Sequence, residues 1–341
     1  MNVLEVLDPG LLTTIQDAGR FGHEAEGVPR SGAADSIGLA VANLLLGNRP
    51  DAAAIECTLL GPRLRALVAV DVALGGADLA AYVESSGIEL AAGASHRLEA
   101  GDIVAFGGAP EDGGGCRAYL AVPGGVDVAP MLGSRSTCLP AGFGGLDGRA
   151  LRTADRIGAA ASRATSTSAG SGPSRLRLPA DLAAALPTPA QRIRILPGPA
   201  SGAGDPARTG LVERSWIVDS ASDRRGLRLE PADSGHRETG GVGPLAPLAA
   251  GELPSHGVLP GAIQVTPSGQ PLVLMADSGT TGGYPVVAVV IHADVALLGQ
   301  LAPGAEVRFR ETTFEVARAA ELERRALLEA MTLRVAESGP R

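Results

Sequence analysis

The densest cluster of residues suited to holding a small polar ligand is Asp277-Ser-Gly-Thr-Thr-Gly-Gly-Tyr-Pro285. Threonine hydroxyls and backbone N–H groups bind carboxylate, amide or phosphoryl oxygens. Glycines let the backbone come close to a ligand and adopt positive φ. The segment lies between two apolar runs, 272–275 and 286–291, so it reads as a loop carried on strands, a common place for function. A tight β-turn has the same composition, and composition alone does not separate the two.

Two further segments concentrate polar groups. In the first, Thr13, Thr14, Gln16, Asp17 and Arg20 crowd one stretch too closely for a core strand, and an Asp17–Arg20 ion pair is its plainest reading. Ser31-Gly-Ala-Ala-Asp35 follows and opens an expected helix, where free N–H groups and the dipole favour an anion; an ordinary N-cap by Ser31 or Asp35 is the alternative. The second is Leu132-Gly-Ser-Arg-Ser-Thr137. Arg135 between two serines suits a two-pronged grip on a carboxylate, or it is simply a surface arginine. The five histidines, His23, His96, His236, His256 and His292, lack metal-ligand spacing, so no metal site is expected. No nucleophile elbow or dinucleotide-binding glycine loop is present.

Composition narrows the function classes. All 29 basic residues are arginines. Without a lysine the chain has no anchor for pyridoxal phosphate, biotin or lipoate, and no Walker A loop. A net charge of −8 and 3% aromatic content argue against a nucleic-acid partner. No run approaches the roughly 20 apolar residues of a membrane span, and the opening MNVLEVLDPGLLTTIQD lacks the pattern of a signal peptide. Cys57, Cys116 and Cys138 are widely spaced, consistent with reduced thiols in the cytoplasm.

The elements that must position these groups are mostly strands. Glycine (47) and proline (25) break the chain into short apolar runs at about eight- to twelve-residue spacing, the pattern of barrels and sandwiches. A helix is expected from about residue 36, with Ile37, Val41, Leu44 and Leu45 on one face and Gly47 ending it. A second is expected over about 319–335. Residues 158–174 are small and polar and read as a linker. The sequence therefore divides into an N-terminal domain (1–175), a second domain (176–313) and a terminal helix and tail (314–341). A faint repeat crosses the boundary: Leu98-Glu-Ala-Gly-Asp-Ile-Val-Ala-Phe106 and Leu301-Ala-Pro-Gly-Ala-Glu-Val-Arg-Phe309 share L-x-x-G-x-x-V-x-F. The Tyr82 and Tyr284 segments, and Ser31-Gly-Ala-Ala-Asp35 with Asp219-Ser-Ala-Ser-Asp223, match in the same order.

Several longer stretches carry a family resemblance: GLLTTIQDAGRFG (10–22), SGAADS (31–36), ANLLLGN (42–48), YLAVPGGVDV (119–128), LGSRST (132–137), ASDRRGLRLE (221–230) and GAIQVTPSGQPLVLMADSGTTGGYP (261–285). They resemble the family of 5-oxoprolinase C subunits, also called allophanate hydrolase subunit 2, related to the carboxyltransferase domain of urea carboxylase. The resemblance implies a mainly-β protein of two cyclophilin-like β-barrels with a few helices. It implies a heteromer with a homologue of the oxoprolinase B subunit. That pair would work with a homologue of the A subunit to open the lactam of 5-oxoproline to glutamate, using ATP bound somewhere in the complex.

On that resemblance, Asp277, Thr280 and Thr281 are the expected catalytic residues, with Tyr284, Gly282, Gly283, Ser31, Asp35, Arg20 and Arg135 as substrate-binding candidates. The chain departs from the family pattern at Gly279, where D-x-Q-T-T-G-G-Y-P carries glutamine, and at His256, Cys138 and Arg225. Two other readings remain. One is a carboxyltransferase acting on urea or another small amide, with biotin carried by a separate chain; the other is a non-catalytic regulatory partner of a kinase inhibitor resembling the B subunit.

Overall fold

The fold is seen in a computed structural model, which describes residues 1–110, 113–160, 176–186, 192–200, 205–232, 245 and 254–338. From residue 161 onward the expected linker lies outside the described residues, as does His236. The chain divides into two compact units. The first comprises residues 1–20, 31–188 and 325–341; the second comprises 21–30 and 189–324. The first unit runs past residue 175 because Ala94 bridges Arg177 and the Leu178 N–H donates to the Gly93 carbonyl.

In the first unit the strands are β1 (Asn2–Asp8), β2 (Leu12–Gln16), β3 (Ala54–Thr58), β4 (Arg63–Ala66), β5 (Val70–Gly76), β6 (Ala81–Val83), β7 (Ala94–Leu98), β8 (Ile103–Phe106), β9 (Arg117–Ala121) and β10 (Arg156–Gly158). Its helices are α1 (Ser36–Leu44) and the short α2 (Ala180–Ala184). The strands form two five-stranded sheets, ordered β10-β1-β4-β8-β6 and β2-β3-β9-β5-β7. Alternation puts Leu4, Val6, Leu64 and Val104 of one sheet and Ile15, Ile55, Leu120 and Val72 of the other into a single core.

The opposite face of the second sheet is polar yet buried. Thr14 pairs across with Glu56, and Glu56 with Tyr119, and α1 lies against β5 and β9. Asp35 is the N-cap of α1, its Oδ1 accepting from the Ile37 and Gly38 N–H groups. The helix stops before Gly47 (φ 68°), whose N–H returns to the Leu44 carbonyl.

The second unit contains β11 (Arg192–Pro197), β12 (Ser215–Val218), β13 (Gly226–Pro231), β14 (His256–Gly257), β15 (Ala262–Val265), β16 (Pro271–Leu274), β17 (Thr281–Gly282), β18 (Val286–Val290) and β19 (Glu306–Glu311). Seven of these close a barrel in the order β11-β18-β15-β16-β13-β12-β19, while β14 and β17 pair as a separate ribbon. Closure is parallel, with Arg192 to Ile195 of β11 in register with Arg308 to Glu311 of β19. Inward residues Ile193, Ile195, Trp216, Leu229, Ile263, Val273, Val287, Val307 and Phe309 fill the interior. Helices α3 (Pro206–Glu213) and α4 (His292–Leu298) belong to this unit; α5 (Phe314–Ser338) gives it residues up to 324 and gives the first unit those from 325. The fold is thus mainly β with few helices, as expected, and α5 starts earlier and ends later than the apolar spacing indicated.

The repeat has a structural counterpart. In each unit the glycine of L-x-x-G adopts a positive φ (94° at Gly101, 85° at Gly304). The turn is closed by matching bonds, Asp102 N–H to the Glu99 carbonyl and Ala305 N–H to the Ala302 carbonyl, both 3.0 Å. The following strand buries Val104 and Phe106 in one unit and Val307 and Phe309 in the other. The Asp35–Asp223 match does not extend to structure: Asp35 caps a helix, whereas Asp223 holds the Arg225 N–H just before β13.

Asp294, 2% exposed, locks α4 to the barrel by accepting from the Arg194 N–H (2.8 Å) and from its guanidinium (3.0 and 2.5 Å). Leaving that backbone donor unsatisfied in Asp294→Ala is expected to lower the unfolding free energy by about 1–3 kcal/mol. Urea denaturation with an unchanged midpoint would contradict this role.

Candidate functional site

The 277–285 loop leaves β16 and re-enters the barrel at β18 with a fixed base and an open tip. At the base, the buried Asp277 carboxylate receives Arg224 Nε at 2.9 Å and Nη2 at 3.3 Å, with both side chains almost completely buried. The Asp277 N–H donates to the Arg224 carbonyl and the Ser278 N–H to the Met275 carbonyl. Along its flank, β17 pairs with β14, Gly282 facing His256 and Thr281 facing Gly257. The Val258 N–H reaches the Thr280 carbonyl at 2.9 Å. On the return, Gln264 of β15 donates Nε2 to the Tyr284 carbonyl at 3.1 Å.

The tip faces solvent. Gly279, Thr281, Gly283 and Tyr284 are exposed and Thr280 is half-buried. The loop therefore divides by role. Thr280, Thr281 and Tyr284 present hydroxyls on a pinned backbone, where hydrogen bonds to an amide or carboxylate oxygen cost little reorganisation. Asp277, 2% exposed, is turned inward to Arg224 and acts by fixing the loop. A Cβ at Gly282 would fall 2.5 Å from Gln264 Nε2, so a larger residue there has to move that amide off the Tyr284 carbonyl.

The other candidates lie in the first unit. Ser31 is 6% exposed with φ 53°, and its Oγ has no hydrogen-bond partner among the described residues. Asp35 is committed to the α1 cap, and its own N–H donates to the Tyr119 hydroxyl at 2.8 Å. That hydroxyl donates to Glu56 Oε2 at 2.8 Å, and the same oxygen accepts the Ala34 N–H. Burial first, then the Glu56 and Asp35 charges, push the Tyr119 phenol well above its ordinary value, so it stays protonated and serves as a donor.

Asp17 and Arg20 both end on the 131–136 segment. Asp17 Oδ1 accepts from Ser134 Oγ (2.6 Å), Ser136 Oγ (2.5 Å) and the Gly19 N–H, and Oδ2 from the Arg135 N–H. Arg20, 1% exposed, donates to the Met131 and Ser136 carbonyls and lies over the Phe143 ring at 4.6 Å. Arg135 Nε goes to the Val128 carbonyl. The structure thus brings Arg20 and Arg135 together around one folded loop, Ser31 and Asp35 at the start of α1, and the 277–284 candidates in the second unit.

Three contributors were not singled out by residue type: Arg224, Gln264 and Glu56. Each partner lies far away in sequence, 53 positions for Arg224–Asp277, so local spacing carries no sign of them. Among the described residues no group of His, Cys, Asp or Glu is arranged to hold a metal ion.

The buried Arg224–Asp277 pair predicts opposite outcomes for two substitutions in one loop. Asp277→Ala takes the carboxylate away from a buried guanidinium and is expected to cost about 3–5 kcal/mol. Thr281→Ala, at an exposed position, is expected to change stability by no more than about 0.5 kcal/mol. Melting curves of the two variants check this; similar melts would show that the pair does not hold the loop.

Comparison with known proteins completes the site's context. Residues 26–311 match the carboxyltransferase domain, subdomain A and B. The C subunit of the Escherichia coli (strain K12) 5-oxoprolinase is 36% identical over 98% of this chain and 99% of its own length. The solved structure of the K. lactis urea amidolyase superposes with a TM-score of 0.78 at 30% identity, covering 95% of this chain but 20% of that one. The structure of TTHA0988 superposes with a TM-score of 0.75 at 34% identity over 91% of this chain, which spans about half (56%) of that protein. The barrel, the Gly/Thr loop and a match that runs almost end to end place this chain in the family of carboxyltransferase domains with subdomains A and B.

Proposed function

We propose that this chain is the C subunit of an ATP-dependent 5-oxoprolinase, which together with the A and B subunits converts 5-oxoproline, ATP and two waters to glutamate, ADP and phosphate. The observation that carries this reading is similarity along the chain: it is 36% identical to the C subunit of the Escherichia coli 5-oxoprolinase over 98% of its residues, against 34% over 92% to the urea amidolyase of Lachancea kluyveri. A lactam amide is a poor electrophile, so coupling to ATP has a chemical purpose.

In this reading the 277–285 loop supplies the oxygen-binding groups. The Thr280 and Thr281 hydroxyls and nearby N–H groups hold the carboxylate or lactam oxygen of the substrate. Tyr284 closes one side, and Asp277 with Arg224 keeps the loop in place. With no lysine in the chain, the reaction asks nothing of a covalent amine here, and the ATP is used by the complex as a whole. The likeness to urea amidolyase supports a second reading, carboxyl transfer to a small amide with biotin on another chain.

Reconstitution separates the two. The purified chain alone is expected to consume neither 5-oxoproline nor ATP, while a mixture with its B and A homologues releases glutamate and phosphate. Thr281→Ala is expected to remove at least about 90% of that turnover with the complex still assembled, the loss of one oxyanion donor being worth roughly 10²-fold. Turnover by the isolated chain, or activity on urea and not on 5-oxoproline in the mixture, would sink the proposal.

A further inference from the structure

The outer wall of the barrel carries a block of arginines that folding does not explain. Where β11 and β19 run side by side to close the barrel, Arg192 lies in register with Arg308 and Arg194 with Arg310. Between them Ile193 and Phe309, also in register, point into the core, so all four arginines stand on the outer face. Neighbouring strands are about 4.8 Å apart and every second residue is about 6.6 Å further along, so the four stems rise from a small rectangle. Asp294 takes Arg194, which also feels Glu323 of α5. Glu306 takes Arg308 at 3.2 Å, in a pair open to solvent. Among the described residues Arg192 and Arg310, both exposed, make no ion pair. On the far side of β19 the facing residues of β12 are Ser215 and Ile217, which bring no acid. Like charges set opposite one another on adjacent strands lower stability, and the chain as a whole is acidic, with a net charge of −8. Such a block points to a use outside the chain.

Resting on the reading of this chain as the C subunit of a lactam-opening complex, we infer that the arginine face of β11 and β19 is where an acidic surface of the B homologue docks. The outside of a closed barrel is convex and offers no hollow for a small ligand, so it suits the broad surface of another protein. Guanidinium groups hold carboxylates through two parallel bonds and are less strongly hydrated than an ammonium group. Arg192 and Arg310 gain their acids from the partner, and the opposition between the two strands is relieved as the complex forms. A charged face of this kind acts mainly on the rate of encounter and on the orientation of the partner. Nucleic acid is the other polyanion for such a face, and the net negative charge of the chain opposes it.

The test follows association of the full chain with the purified B homologue by stopped-flow fluorescence, at salt on the order of 50 and 300 mM. The chains compared are the wild type, Arg192→Glu/Arg310→Glu, and a control of equal charge change, Arg49→Glu/Arg97→Glu, made at two exposed arginines of the first unit. The wild type is expected to associate more slowly as salt rises. Arg192→Glu/Arg310→Glu is expected to associate at least about tenfold more slowly at low salt and to lose most of the salt dependence. Its thermal melt should equal or exceed that of the wild type, because each new glutamate faces an arginine across the strands. The control should change the rate by less than about threefold. Equal losses in the two double variants, no loss in Arg192→Glu/Arg310→Glu, or a lowered melt in that variant overturns the docking face and leaves the proposed function standing. Binding of duplex DNA that these two substitutions abolish, with the B homologue still bound at the wild-type rate, does the same. A wild type that does not bind the B homologue overturns this inference; if the mixture with the A and B homologues also releases no glutamate, the proposed function falls with it.

Discussion

The contact between Arg224 and Asp277 decides what the second unit displays. Two opposite charges removed from water are costly unless they meet at close range and their remaining hydrogen-bonding capacity is met. Here the carboxylate takes two guanidinium nitrogens, and the chain at Asp277 is also tied to Arg224 through the backbone. Because separating the two side chains would strand a carboxylate in a dry interior, the start of the 277–285 loop has one position. Everything downstream, from the ribbon with β14 to the Gln264 contact, is built from that anchor. The solvent-facing threonines inherit their order from a charge pair they do not touch.

The first unit uses the same logic with uncharged donors. Tyr119 is fully buried and protonated, so its hydroxyl both accepts from the Asp35 N–H and donates to Glu56. Glu56 takes a second bond from the Ala34 N–H. The entry to α1 is thereby fixed by a phenol and a carboxylate on adjacent strands of the sheet below it. Asp17 repeats the pattern on the 131–136 segment, where one carboxylate gathers two serine hydroxyls and two backbone N–H groups.

Much of this was legible in the sequence where the signal is local. The strand runs, the α1 start and stop, the turn shared by Gly101 and Gly304 and the exposed Gly/Thr tip follow from turn chemistry and apolar spacing, which act within a few residues. What escaped is what depends on long-range pairing. Asp277 carries the composition of a catalytic acid, yet its exposure is set by an arginine 53 positions away. Asp17 and Arg20 suggest a pair by their proximity in sequence, and the 131–136 loop draws both to itself. Ser31 and Asp35 were equal as caps on residue type; the hydrogen bonds fall to Asp35, while Ser31 takes a left-handed backbone beforehand.

The Gln264 amide against Gly282 has a consequence for how such a loop changes over generations. A side chain at 282 enters only by pushing that amide aside, which gives up its bond to the Tyr284 carbonyl and loosens the return of the loop. Change at that part of the loop therefore carries the loss of a tether, and its effect depends on what stands at 264. Three positions earlier, at 279, a single replacement meets no obstacle. The loop is conservative on one side and free on the other, and new chemistry in descendants of this protein should accumulate on the free side.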